Sequence, residues 1–325
     1  MTSGSPGRLI ILFAIPLMLG NICQQLYTMV DTMVVGQIAG VEALAALGAV
    51  DFLMWVVTGI STGLTQGFSI QLSQYYGAKD FENLRKSLAH SYRLTAFIAV
   101  GVFILSQSFA ALVLTGLHTP SNIIGMSLLY LRIIFCGIPA TAAYNMFAAA
   151  LRAMGNSKTP LTAMIIASVL NISLDILFVA GFGWGVAGAA IATVIAQSFS
   201  AVYCFLILRR IDIVHLSRAD FMSAAGMNAR LMKLGIPVVF QNIIIGVGGL
   251  VVQYVINGYG FLFVAGFTAT NKLYGLLEMA AISYGYAIVT YVGQNLGAGK
   301  IDRIRKGVRS SMLLSLLTSL IISAA

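Results

Sequence analysis

The chain has 325 residues, 59% of them apolar and 9% charged, and a mean hydropathy of +0.92. Soluble domains carry about 25% charged residues, so a water-soluble globule is excluded and burial in a bilayer is implied. The net charge of +9 does not mark a nucleic-acid partner. Every Lys and Arg except Arg132 and Lys272 falls at a predicted helix end or loop on one side of the topology, the signature of membrane orientation.

Apolar spans are predicted at 9–35, 43–72, 92–116, 123–151, 160–181, 186–208, 234–257, 262–292 and 309–325. The first follows Arg8 but is longer than a signal-peptide core and shows no clear small-residue cleavage site, so it reads as a transmembrane helix. It carries Asn21, Gln24, Gln25, Thr28, Asp31 and Thr32 on one helical face, with Tyr27 beside them. Polar groups facing lipid are costly, so that face must point into a cavity or the bundle interior. Pro16, with Gly20 above it, removes a backbone hydrogen bond and permits a bend. The second span repeats the pattern at Asp51, Trp55, Thr58, Thr62, Thr65 and Ser69. Arg132 in the fourth span is a buried-charge candidate that could pair with Asp51.

Asp175, in the fifth span, has Asn171 one turn away on the same face, and Thr193 in the sixth falls at the same depth as these and Asp31. Four oxygen-bearing side chains at one level suit Na⁺, a hard cation. The carboxylates could instead carry protons, or be paired aspartates that hold helices together. Between these spans Gly183–Gly188 matches GxGxxG, but it joins two membrane helices and follows no strand, so the dinucleotide reading fails. In the seventh span Asn242, Gly246, Gly249 and Gln253 share a face. In the eighth, Asn271, Tyr274 and Glu278 share another, while Lys272 and Glu278, six residues apart, point in different directions. Such stripes either pack helices or face solvent; their occurrence on the first two helices of both halves favours a shared central cavity.

Lys79, Arg85 and Lys86 follow the second span, Arg152 and Lys158 the fourth, Arg209 to Lys233 the sixth, and Lys300 to Lys306 the eighth, whereas the other turns contain no Lys or Arg. The N-terminus is therefore expected in the cytoplasm of a multi-pass cell-membrane protein. Cys23, Cys136 and Cys204 have neither disulfide nor metal spacing, and the three histidines lie far apart.

Residues 74–86, QYYGAKDFENLRK, recur as QNLGAGKIDRIRK at 294–306, and Pro16 and Asn21 recur as Pro237 and Asn242. The lag implies duplication of a unit of about 220 residues, hence about 440 residues and twelve helices in all. The expected architecture is an all-α, two-lobe 6+6 carrier with parallel repeats, cut within the ninth helix. Residues 1–208 form the N-terminal lobe, 209–233 the cytoplasmic linker and 234–325 a partial C-terminal lobe.

Tyr27 to Gly36, Arg152 to Pro160, Asn171 to Asp175, Gly185 to Thr193 and Gln294 to Gly299 together resemble multidrug and toxic compound extrusion (MATE) transporters. The resemblance implies cation-coupled export, on H⁺ or Na⁺ and with no other cofactor, of amphipathic, mainly cationic compounds. It carries the family's cation site onto Asp31, Asn171, Asp175 and Thr193, and its helix bend onto Pro16. A substrate cavity is expected to include Asn21, Gln24, Tyr27, Thr28, Asp51, Thr58, Asn242, Gln253, Asn271, Tyr274 and Glu278. The seventh span lacks an acidic residue, which resembles the DinF-like rather than the NorM-like branch. Expected partners are small amphipathic molecules and the bilayer, with the chain acting as a monomer. A lipid-linked precursor flippase is the alternative, although it predicts a basic cavity. No nucleophile–base pair or metal-ligand spacing supports an enzyme, and the duplicated design suits alternating access better than a channel.

Overall fold

The computed structural model describes residues 1–222 and 226–324; the side chains at 272, 273, 276–278, 280 and 322–324 lie outside the description. Among the described residues the chain is helical, with no strand. Eleven α-helices run in order: α1 (Pro6–Ile38), α2 (Val41–Gly48), α3 (Asp51–Ala78), α4 (Phe81–Gly116), α5 (Ile124–Cys136), α6 (Ile138–Ala153), α7 (Lys158–Asp175), α8 (Gly185–Leu208), α9 (Met227–Asn257), α10 (Phe261–Gly297) and α11 (Ile301–Ala324). Six helices among the described residues are long and apolar enough to cross a membrane, seven when α5 and α6 count as one bent span.

The turn chemistry sets these boundaries. Pro6 occupies the first turn of α1, where its missing N–H costs nothing. Asp80 caps α4 by accepting from the Asn83 N–H at 3.1 Å. The Asn156 carboxamide oxygen likewise accepts from the Thr159 N–H, at 3.0 Å, where α7 begins.

The duplication is visible in the backbone. Val41 and Phe261 open equivalent helices, as do Phe81 and Ile301, each pair 220 apart by subtraction. Gly40 and Gly260, also 220 apart, both turn with φ near +90° (95° and 86°), a region that glycine enters without steric cost.

Several boundaries differ from those expected. The second span is not one helix: the chain breaks at Ala49–Val50, between α2 and α3. The fourth is broken at Gly137, where α5 and α6 meet at 48°. A Cβ on Gly137 would lie 2.8 Å from Val194 on α8, so the bend brings α8 against bare backbone. The third span starts at Phe81 rather than near 92. The segment expected as linker holds two 3₁₀ turns, and α9 already begins at Met227 within it. Immediately after Asp175 the helix widens into a π-helix, Ile176–Gly181, a form that often accompanies functional residues.

The repeats interlock by exchanging helices: α3 packs along α9, and α1 along α10. Asn21 on α1 donates to the Ser283 hydroxyl on α10 at 3.0 Å. Its repeat mate Asn242 on α9 donates to the Gly59 carbonyl on α3, also at 3.0 Å. Near the end carrying the basic turns, α3 and α10 cross with backbones touching at Gly77 and Gly297. At the opposite end α2 and α10 meet at Gly48 and Thr268. The crossing at the basic end also holds the N-terminus. The Met1 ammonium donates to the Gln294 Oε1 at 2.5 Å, Lys300 donates to the Thr2 carbonyl, and Arg303 donates to the Gly4 carbonyl.

Candidate functional site

Between the two crossings lies a cavity of about 330 Å³, walled by α1, α2, α3, α5, α6, α8 and α10. The first-helix stripe faces it as expected: Asn21, Gln24, Tyr27, Thr28, Asp31 and Thr32 all line it. Asp51 and Thr58 join from α3. Thr58 and Thr62 donate their hydroxyls back to the Met54 and Thr58 carbonyls, so that stripe meets part of its hydrogen-bonding need within its own helix. Another space of about 570 Å³ opens between α3, α9 and α10, sharing Thr58, Thr62 and Tyr286 with the first and adding Gln241, Asn242 and Ile245.

The four residues expected to form a cation site lie at or beside the first cavity. Asp31 and Thr193 line it, while Asn171 and Asp175, both 0% exposed, sit one layer behind. The Asn171 amide reaches the Thr193 hydroxyl at 3.4 Å. The Asp31 carboxylate lies within electrostatic reach of Asp175. Both carboxylate oxygens of Asp175, and the Asn171 carboxamide oxygen, have no hydrogen-bond partner among the described residues. Buried polar atoms are nearly always satisfied, and a cluster of oxygens of this kind is chemically suited to a proton or a hard monovalent cation. The π-helix after Asp175 begins where this cluster ends.

Other expected positions fall elsewhere. Asn242 lines the second space, whereas the rest of the α9 stripe is a packing face. A Cβ on Gly249 would overlap the Phe52 ring, and one on Gly246 would lie 3.2 Å from Trp55, so the small residues serve close approach of α3 and α9. Gln253, 1% exposed, donates to Asn257 at 2.8 Å, which donates in turn to the Leu117 carbonyl. That chain ties α9 to the end of α4 and reaches neither cavity described above. Asn271 is half-buried and Tyr274 is 56% exposed. The Glu278 and Lys272 side chains lie outside the described residues. Arg132 is exposed on α5 and is not among the residues lining the cavity with Asp51, which overturns the expected pairing. Pro16 lies within an uninterrupted α1.

Several cavity residues were not expected. Gln197 on α8 donates to the Tyr27 hydroxyl at 3.1 Å. The α6 face contributes Thr141, Tyr144, Asn145 and Arg152, with Asn145 donating to the Thr62 hydroxyl at 3.3 Å. Tyr130 on α5 and Tyr286 on α10 complete an aromatic lining. The spacing 141, 144, 145, 152 is a helical face, so the periodicity that revealed the α1 stripe would have revealed this one. It was hidden inside a single apolar run spanning the bend at Gly137.

The MatE family profile matches residues 16–177 and 237–325. The chain is 31% identical over 303 residues to the probable multidrug resistance protein YpnP of Bacillus subtilis (strain 168), covering 93% of this chain and 68% of that protein. It is 29% identical to the probable multidrug resistance protein YoeA of the same organism, covering 94% and 67%. The chain thus spans about two thirds of the length of these relatives. Its fold matches a solved outward-facing structure of a multidrug resistance MATE family transporter of the MOP superfamily, with a TM-score of 0.90, 23% identity and coverage of 99% and 72%. The matched profile covers much of both repeats, so sequence family and fold agree. The chain belongs to the MATE family and is a multi-pass membrane transporter rather than an enzyme.

Proposed function

We propose that this chain works in a cation-coupled antiporter that exports amphipathic, mainly cationic compounds by alternating access. The observation that carries the reading is Asp175, fully buried beside Asn171 and Thr193, with neither carboxylate oxygen hydrogen-bonded among the described residues. Such a carboxylate is stable only with a bound proton or a counter-ion. The cavity next to it supplies aromatic and carboxylate surface suited to organic cations. The curated relatives bear multidrug resistance names, which supports the same substrate class. Residues 1–208 act as one lobe, 209–233 as the linker and 234–325 in the other lobe, with the N-terminus cytoplasmic and the unit monomeric. The absence of any acidic residue in α9 supports placing coupling in the first lobe, as in the DinF-like branch.

Coupling requires that the cation and the substrate bind the two access states with different affinities. In proteoliposomes preloaded with a cationic dye, a pulse of either Na⁺ or H⁺ should drive efflux, naming the ion. Efflux indifferent to both would return the carboxylates to a structural role and bring the flippase reading forward.

Pro16 supplies the moving part in this reading. It leaves the Leu12 carbonyl without its helical donor. Pro16→Ala should restore that bond and stiffen α1, stabilising the folded protein by up to about 3 kcal/mol while slowing efflux severalfold. Melting and dye efflux measured together test this, and a variant that transports at the wild-type rate would remove bending of α1 from the mechanism.

A further inference from the structure

The cavity is bipolar. Asp31 and Asp51 stand on its walls toward the end opposite the basic turns, whereas Arg152, on the last turn of α6, is the cation among its described lining residues. Asn21 and Asp31 line the same wall ten residues apart, so the polar face runs about 15 Å along α1.

Arg152 is held unusually. Its guanidinium carbon lies 4.8 Å from the centroid of the Tyr286 ring on α10. Among the described residues it forms no ion pair, and its N–H groups donate to no acceptor. A structural arginine inside a membrane protein is normally satisfied by a carboxylate or by backbone carbonyls. Stacking on Tyr286 occupies the face of the guanidinium, and its edge is left without an acceptor among the described residues of the cavity wall. That edge carries the fork of donors that matches a carboxylate two-to-two, a match that the point charge of lysine cannot reproduce. Tyr144 and Asn145 stand on the same helix face about two turns away, and the Tyr27 and Tyr130 rings also line the cavity. A flat aromatic body would pack against those rings at small entropic cost.

We infer that Arg152 is a specificity-determining residue that binds the carboxylate of an aromatic amphiphile, whose amine, where present, lies toward Asp31 and Asp51. Tyr286 is the positioning residue that seats the guanidinium. The inference rests on the efflux reading of the same cavity and extends its substrates from organic cations to aromatic zwitterions.

The test compares a rhodamine bearing a free carboxylate with the methyl ester of the same rhodamine. Both are titrated by fluorescence anisotropy against the chain in nanodiscs. The ester keeps the ring system and the amines and removes only the anion. Arg152→Gln should lower the acid-to-ester affinity ratio about tenfold or more, the usual worth of charge-assisted hydrogen bonds. Arg152→Lys should fall between, because it keeps the charge and loses the fork. If Arg152→Gln does not fold, Tyr286→Ala should shift the same ratio in the same direction by unseating the guanidinium. An unchanged ratio, or an equal loss of both probes, would overturn the inference and leave the efflux reading standing, since a merely structural arginine would weaken acid and ester alike. Wild-type protein that binds neither probe would overturn both readings.

Discussion

Asp175→Asn should leave the helical bundle intact and reduce cation-driven efflux to less than a tenth of wild type. The side chain is isosteric, so no cavity or clash is created. The wild-type carboxylate is 0% exposed and has no hydrogen-bond partner among the described residues, so its desolvation is a cost that the neutral amide avoids. Thermal stability should therefore hold or rise, by about 1–3 kcal/mol. Transport should fail for the complementary reason: an amide can neither take up and release a proton as a carboxylate does nor contribute charge to a bound cation. Size-exclusion melting and ion-pulsed dye efflux on the same preparation separate the two consequences. A variant that melts normally and still responds to the ion at the wild-type rate would remove Asp175 from the coupling step. A variant that fails to fold would instead assign the carboxylate to holding α7 and α8 together.

What the sequence revealed was governed by periodicity. The stripe from Asn21 to Thr32 was legible because a membrane helix has no cheap place for six polar side chains except one face, and all but Gln25 line the cavity. The Gly40 and Gly260 turns, 220 residues apart, show why the duplication was legible as well: the same backbone demand recurs at the same lag. Breaks within apolar runs were not legible. Hydropathy sums a window and carries no record of backbone direction, so Ala49–Val50 and Gly137 each passed as the middle of a span. Missing the break at Gly137 concealed the α6 face with Tyr144, Asn145 and Arg152. The π-helix after Asp175 had no sequence signature at all.

Beyond Asn242, which lines the second space, the α9 stripe failed for a different reason. Gly246 and Gly249 recur at helical spacing whether a face lines water or receives another backbone, and only the position of Phe52 and Trp55 on α3 decides between them. Arg132 and Arg152 reverse in the same manner. Depth alone buries Arg132, yet it is exposed; chain position puts Arg152 in a basic turn, yet it lines the cavity. Depth along a helix is readable from residue number, but the direction of a side chain around its axis depends on the neighbouring helices.

The crossing of α3 and α10 carries the other large expectation. A Cβ added to Gly77 would collide with the Gln294 carbonyl, and one added to Gly297 would collide with the Gln74 carbonyl. Gln74 and Gln294 are repeat mates, so the two helices meet about the internal symmetry of the fold with no room for any side chain. The obstacle is backbone, which cannot change rotamer to relieve it, and Gln294 is itself fixed through its amide to the Ala153 carbonyl at 2.8 Å. Gly77→Leu should therefore disfavour closure of this end by about 3 kcal/mol, roughly a hundredfold change in the closed-to-open ratio. Alternating access needs each end to close in turn, so turnover should fall at least as steeply as the closed population. Gly101→Leu is the matched control, because a Cβ there meets nothing within 4 Å, and it should transport normally. Spin labels at the exposed Glu82 and Asp302, equivalent positions in the two repeats, report the state directly. The Gly77 variant should show a longer, broader distance distribution than wild type, with the Gly101 control unchanged. A wild-type distribution together with lost transport would show instead that the glycine pair serves folding of the crossing and not its closure.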